Sequence, residues 1–192
     1  MIDMNNSINT INKTIEENFV ELSKISKNVS VWRSQKSKKI TRLCFLSNEV
    51  LSFLKQEHTN RIRGKTSIKM QAVNLLESFA TTPNLASVGQ FTDAKPMFPI
   101  RKLKPTVPSG PNVWEMRTTD VRLFGWVHTI PNVFFVTFPE LKQYLVDKHD
   151  VALPMEYDRM IFYVLDWLKT ESVDNDLIWK KDNADAPIHF RV

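Results

Sequence analysis

One hexapeptide, Val133-Phe134-Phe135-Val136-Thr137-Phe138, restricts the fold of this 192-residue chain more than any other stretch. Successive side chains on a strand point to opposite faces, and here both parities are apolar. Phe134, Val136 and Phe138 fall on one face, Val133 and Phe135 on the other. Such a strand is buried on both sides, so the second face of its sheet needs a cover of its own. The segment from Pro154 can supply it. Met160, Ile161, Val164, Leu165 and Leu168 form a broad helical stripe, flanked by Tyr157, Phe162, Tyr163 and Trp167, with proline suited to the first turn.

Upstream lies a hairpin. Val113–Arg117 and Val121–Val127 read as short strands joined by the polar turn Thr118-Thr119-Asp120. Alternation puts Trp114 and Met116 on one face of the first strand and Glu115 and Arg117 on the other. On the second strand it groups Arg122 with Phe124 and Trp126. Earlier still, Lys39–Ser47 reads as a strand carrying Ile40, Leu43, Phe45 and Leu46, followed by a helix capped by Asn48 with Val50, Leu51, Phe53 and Leu54. A second helix from about Thr66 carries Ile68, Ala72, Leu75, Leu76 and Phe79. It should stop near Thr82-Pro83, because the residue before proline is disfavoured in a helix. Four prolines between Asn84 and Gly110 leave room for only a short or edge strand, best placed at Ile100–Lys104.

The N-terminal segment, Ser7 to about Lys27, spaces Ile8, Ile11, Ile15, Phe19 and Leu22 by three and four, the stripe of an amphipathic helix. Residues 28–39 read as a basic linker with Trp32 as its one large anchor. At the other end, Ile178-Trp179 and Ile188-His189-Phe190 are short enough only for edge strands. The expected architecture is α+β: a small antiparallel sheet with two helices on one face, an N-terminal amphipathic helix and a C-terminal helical extension. The expected organisation is 1–38 as helix and linker, 39–145 as core, and 146–192 as an extension packed on that core.

Charge is distributed unevenly. Residues 1–110 carry 17 lysines and arginines against 8 acidic residues, whereas residues 111–192 carry 9 against 13. Lys36, Lys38, Lys39, Arg101, Lys102 and Lys104 in the basic half, together with Lys142, are candidates for tracking nucleic-acid phosphates; a solvated face or a dock for an acidic partner fits them equally. No apolar run approaches the roughly 20 residues of a membrane span, so no membrane partner and a cytoplasmic location are expected. Cys44, the single cysteine, lies in an apolar run and reads as a buried thiol. The four histidines lack ligand-like spacing and four glycines cannot build a phosphate-cradling loop, so neither metal nor cofactor is expected.

The order of strand, two helices and a mostly antiparallel sheet, with Trp114-Glu115-Met116-Arg117 followed by Asp120-Val121-Arg122-Leu123-Phe124, resembles the RelE/ParE/HigB superfamily of type II toxins, particularly its phage-like branch. The likeness spans about residues 39–142. It implies a ribosome-dependent mRNA endoribonuclease with RNA or the ribosome as target and an antitoxin as partner. Arg117 and Arg122 would then stabilise charge at the scissile phosphate on an open sheet face, with His128 as a nearby acid or base. The chain departs from the family where sheet lysines are expected: Val113 and Glu115 stand there. Lys102, Lys104, Lys142 and Tyr144 are the groups that would compensate. The alternative is a non-catalytic phage- or mobile-element-borne interaction protein, binding a protein or nucleic acid through its basic half, with Glu115, Arg117 and Arg122 as a structural ion-pair network. A third reading is a direct inhibitor of a DNA-remodelling enzyme, acting through an exposed helix. The oligomeric state is left open.

Overall fold

The computed structural model describes Leu22 and residues 25–34, 42–58, 66–81, 100–103 and 110–180. Over these residues the chain forms β1 (Val29–Val31), β2 (Leu43–Ser47), α1 (Asn48–Lys55), α2 (Ile68–Thr81), β3 (Ile100–Lys102), β4 (Trp114–Arg117), β5 (Val121–Val127), β6 (Val133–Leu141) and α3 (Pro154–Thr170). Short 3₁₀ turns follow at Lys142–Tyr144 and Asn175–Leu177. The helix expected over Ser7–Lys27 lies outside the described residues apart from Leu22 and residues 25–27, as do most of the basic linker and the Ile188-His189-Phe190 tail.

The six strands make one sheet in the order β1-β2-β6-β5-β4-β3. β3 through β6 form an antiparallel meander, but β2 lies parallel to β6, with Leu43 opposite Val133 and Leu46 opposite Val136. The sheet is therefore mixed, not the antiparallel one expected. The reason is connectivity. β2 is separated from β6 by both helices and the whole β3–β5 meander, and only neighbours joined by a tight turn are obliged to run antiparallel. Both members of the parallel pair are covered on both sides, as parallel strands require: all five residues of β2 and the first five of β6 are buried.

Two hydrophobic layers result. On one face α1 and α2 pack Val50, Leu54, Ile68, Ala72, Leu75, Leu76 and Phe79 against Cys44, Leu46, Met116, Leu123, Phe134 and Val136. On the other, α3 lays Met160, Ile161, Val164, Trp167 and Leu168 over Phe45, Phe124, Trp126 and Phe135. Leu22 belongs to this second layer, and Ser26 and Asn28 hydrogen-bond Glu171 just beyond α3 at 2.5 and 2.7 Å. The stacked pairs Trp126–Phe135 and Phe45–Phe135, with centroids 4.2 and 4.7 Å apart, tie the three central strands together on this side.

One irregularity changes which residues share a face. Between Phe124 and Gly125 the register with β6 slips, so Phe124 faces Phe138 while Gly125 faces Val136. Thr137 is the extra residue of a β-bulge. Past it the parity of β6 reverses, and Phe138 joins the α3 layer, 5.6 Å from Tyr163. This corrects the simple alternation that placed Phe138 with Phe134 and Val136. The bulge is held by Ser47, whose Oγ donates to the Thr137 carbonyl at 2.6 Å, while Thr137 Oγ1 donates to the Phe124 carbonyl at 3.3 Å. The same Ser47 Oγ accepts from Val50 N–H at 3.3 Å and caps α1. Ser47, not Asn48, is the cap; Asn48 is the first helical residue.

Candidate functional site: the β4–β5 hairpin

The Thr118-Thr119-Asp120 turn is fastened from outside the hairpin. Gln71, on the buried face of α2, points its amide at the turn. Its Nε2 donates to Asp120 Oδ2 at 2.8 Å and to the Thr66 carbonyl at 3.1 Å, and its Oε1 accepts from Thr118 Oγ1 at 2.9 Å and Asp120 N–H at 3.1 Å. The amide thus uses both donors and both acceptor positions. Lys142 N–H donates to the Asp120 carbonyl at 2.8 Å, and Thr118 Oγ1 accepts from Val121 N–H at 3.1 Å. The hairpin tip is therefore locked to a helix and to the end of β6.

The two arginines project from the locked hairpin onto the α3 face. Arg122 stands opposite Arg117 on β4 and Glu140 on β6, and the bulge is what turns Glu140 to that side. Arg122 is only 7% exposed. Its Nη1 donates to the carbonyls of Thr118 and Val121, the second at 2.9 Å, so the guanidinium serves the hairpin's own backbone. Arg117 is half-buried, and Glu115, between Arg117 and the covered core, is fully buried opposite Phe124. α3 adds Arg159, bonded to Glu156 at 2.7 Å and to Glu140 at 3.8 Å. Three arginines thus stand among three glutamates. The charges balance on this face, with Arg122 and Glu115 buried and the other four partly exposed, in place of the open basic face expected, because α3 packs over the strands with Tyr157 against Phe124.

His128 is 2% exposed, and its Nδ1 accepts from Ile130 N–H at 2.8 Å. It bridges to Ile178 and lies near the rings of Trp126 and Phe135. Six residues of extended strand separate it from Arg122, roughly 20 Å. His128 and Arg122 therefore cannot act on one scissile phosphate, as a general acid or base must reach the group it serves.

The remaining candidates are dispersed. Lys36, Lys38, Lys39 and Lys104 lie outside the described residues. Arg101, whose backbone is opposite Glu115, and half-buried Lys102, opposite Trp114, sit on the edge strand β3. Lys142 is at the other end of the sheet, roughly 15–20 Å away along the strands, with its Nζ 3.1 Å from Asp150 Oδ2. Tyr144 is half-exposed. Lys102 and Lys142 thus do not share a surface. A pocket of about 360 Å³ lies away from the arginines, between Gly110-Pro111 and Leu165, Leu168, Lys169, Val173 and Asn175. Among the described residues no cluster of His, Cys, Asp or Glu is arranged to hold a metal ion, and no helix is long and apolar enough to cross a membrane.

Three polar residues that organise the region escaped the sequence reading. Gln71 occupies an apolar-stripe position of its helix, the signal that could have marked it. Ser47 was hidden by the more obvious capping residue after it. Arg42, one of the 17 lysines and arginines of the basic half, is fully buried and seals the end of α2: its N–H donates to the Ala80 carbonyl at 3.2 Å and Nη1 to the Phe79 carbonyl at 3.3 Å. Burial lowers its guanidinium from the ordinary 12.5 to about 10, and the negative end of the helix dipole receives it. Cys44 is buried as expected, and burial pushes its thiol well above the usual range.

Fold and hairpin together define an α+β protein whose mixed sheet carries helices on both faces and whose paired arginines are built into the packing. No known protein family, curated protein or solved structure matches the chain.

Proposed function

We propose that this chain is a non-catalytic interaction protein on a toxin-like scaffold, binding nucleic acid through its basic N-terminal half. The observation that carries the choice against an endoribonuclease is the burial of Arg122: the residue is 7% exposed and its Nη1 donates to the Thr118 and Val121 carbonyls, which argues against its meeting a phosphodiester. Cleavage through the 2′-hydroxyl needs a cation that meets the charge as it develops, not one enclosed by protein. The strand–helix–helix–meander order from β2 to β6 supports the RelE-like scaffold. The excess of cations in residues 1–110 supports a polyanionic partner.

The test has two arms. In a ribosome-containing cleavage assay, the wild-type chain and the Arg117→Ala and Arg122→Ala variants should all leave mRNA intact; cleavage that disappears with Arg122→Ala would restore the toxin-nuclease reading, and with it an antitoxin partner. In anisotropy titrations against single- and double-stranded RNA and DNA, binding should weaken steeply with salt. Reversing Lys36, Lys38 and Lys39 to glutamate should remove about 2–3 from the slope of log K against log salt if each lysine neutralises one phosphate. Salt-independent binding, or none, would redirect the basic half to an acidic protein.

A further inference from the structure

The side of α3 turned away from the sheet has a composition that a solvated helix face does not need. Met155 is 84% exposed and Phe162 63% exposed, with Arg159, Asp166 and Lys169 also exposed. At about 100° per residue these five side chains fall within roughly 80° of one another, directly opposite the buried stripe of Met160, Ile161, Val164, Trp167 and Leu168. Their spacing of four, three, four and three is that of a helix–helix seam. Two large apolar side chains thus lie on a line that also carries one cation, one anion and another cation.

We propose that this seam pairs with the same seam of a second copy of the chain, antiparallel about a two-fold axis at Phe162-Tyr163. In that arrangement Phe162 and Tyr163 meet their counterparts across the axis. Arg159 faces the partner's Asp166, and two-fold symmetry makes that pair twice. Asp166 has no ion-pair partner among the described residues, so its carboxylate is available. Arg159 is held in place by Glu156 and Glu140 through Nη2, and its side chain is 43% exposed. A parallel, in-register pairing would set Arg159 against Arg159 and Asp166 against Asp166, and like charges across a seam exclude it. Charge order along the helix therefore specifies both the occupant and its direction.

The test uses the full chain in sedimentation velocity over a concentration series, with circular dichroism confirming that each variant folds. Wild type should dimerise and Phe162→Asp should be monomeric. Asp166→Lys and Arg159→Glu should each be monomeric alone, because each homodimer would oppose like charges twice. Mixed in equal amounts they should form a dimer again, since Lys at 166 then meets Glu at 159 while the other pair stays native. A wild-type chain that remains monomeric to about 200 μM, above the micromolar range expected of a contact this small, overturns the proposal. So does dimerisation that survives Phe162→Asp, or a mixture that fails to associate although both variants are folded.

Discussion

Replacing Gln71 with leucine isolates the tie between α2 and the arginine hairpin. Leucine matches glutamine closely in size and helix propensity, so the change removes the amide and little else. Four hydrogen bonds are lost, one of them to the Asp120 carboxylate, by a residue only 8% exposed. Neutral bonds contribute about 0.5–1.5 kcal/mol each and one to a charged group about 1.5–3 kcal/mol. Thr118 and Thr119 reach solvent, so water recovers part of this, and buried leucine returns some hydrophobic free energy. The net destabilisation should be about 3 kcal/mol, or a fall in Tm of about 6–12 °C for a domain of this size. Thermal unfolding followed by circular dichroism measures it. A double-mutant cycle with Asp120→Asn should give a coupling above about 1 kcal/mol, as residues in one network are non-additive. Gln71→Glu should be worse than Gln71→Leu, since it sets a second carboxylate against Asp120. A loss below about 1 kcal/mol, or additivity with Asp120→Asn, would show that the hairpin tip does not depend on the amide.

Three further perturbations probe the sheet. A Cβ at Gly125 would lie 1.8 Å from the Phe135 carbonyl oxygen, a backbone atom fixed in the bulge, so Gly125→Ala should cost more than about 4 kcal/mol and yield insoluble or unfolded protein; near-native solubility and Tm would contradict the close strand approach. Ser47→Ala removes the α1 cap and strands the Thr137 carbonyl, and should cost about 2–3 kcal/mol by chemical denaturation, against under 1 kcal/mol if the hydroxyl is idle. Because burial raises the Cys44 thiol, the unfolded chain ionises first as pH rises. The contribution is complete below the ordinary thiol value of about 8.5, and each pH unit above it takes away about 1.4 kcal/mol. Cys44→Ala should flatten that alkaline slope, and native Cys44 should resist alkylation until denaturant is added; rapid labelling at neutral pH would refute its burial.

Local sequence was a good guide wherever one element's own pattern decides its structure. β5 occupies the Val121–Val127 span expected of it, α2 stops at Thr81 ahead of Pro83, and the doubly apolar run at Val133 lies in a strand covered on both faces. Alternation also put Arg122 on the side of Phe124 and Trp126. What a motif could not convey was whether that side is open. The same Trp114–Arg117 strand and Arg122 would suit an RNA-binding face if α3 were absent, and the helix that closes it begins 32 residues after Arg122 in the chain.

The sequence by itself determined the segments: an amphipathic α3, two helices after β2, a hairpin with a polar tip, a single thiol in an apolar run, and a surplus of positive charge in the first half. Tertiary structure alone decided three things. It set β2 parallel beside β6, because strand neighbours depend on a long crossover. It reversed the parity of β6 at Thr137, because a bulge is stabilised by a hydroxyl on a different strand, Ser47. And it buried Arg122, because solvent access to a strand face is a property of the assembled sheet and not of any residue's neighbours in the chain.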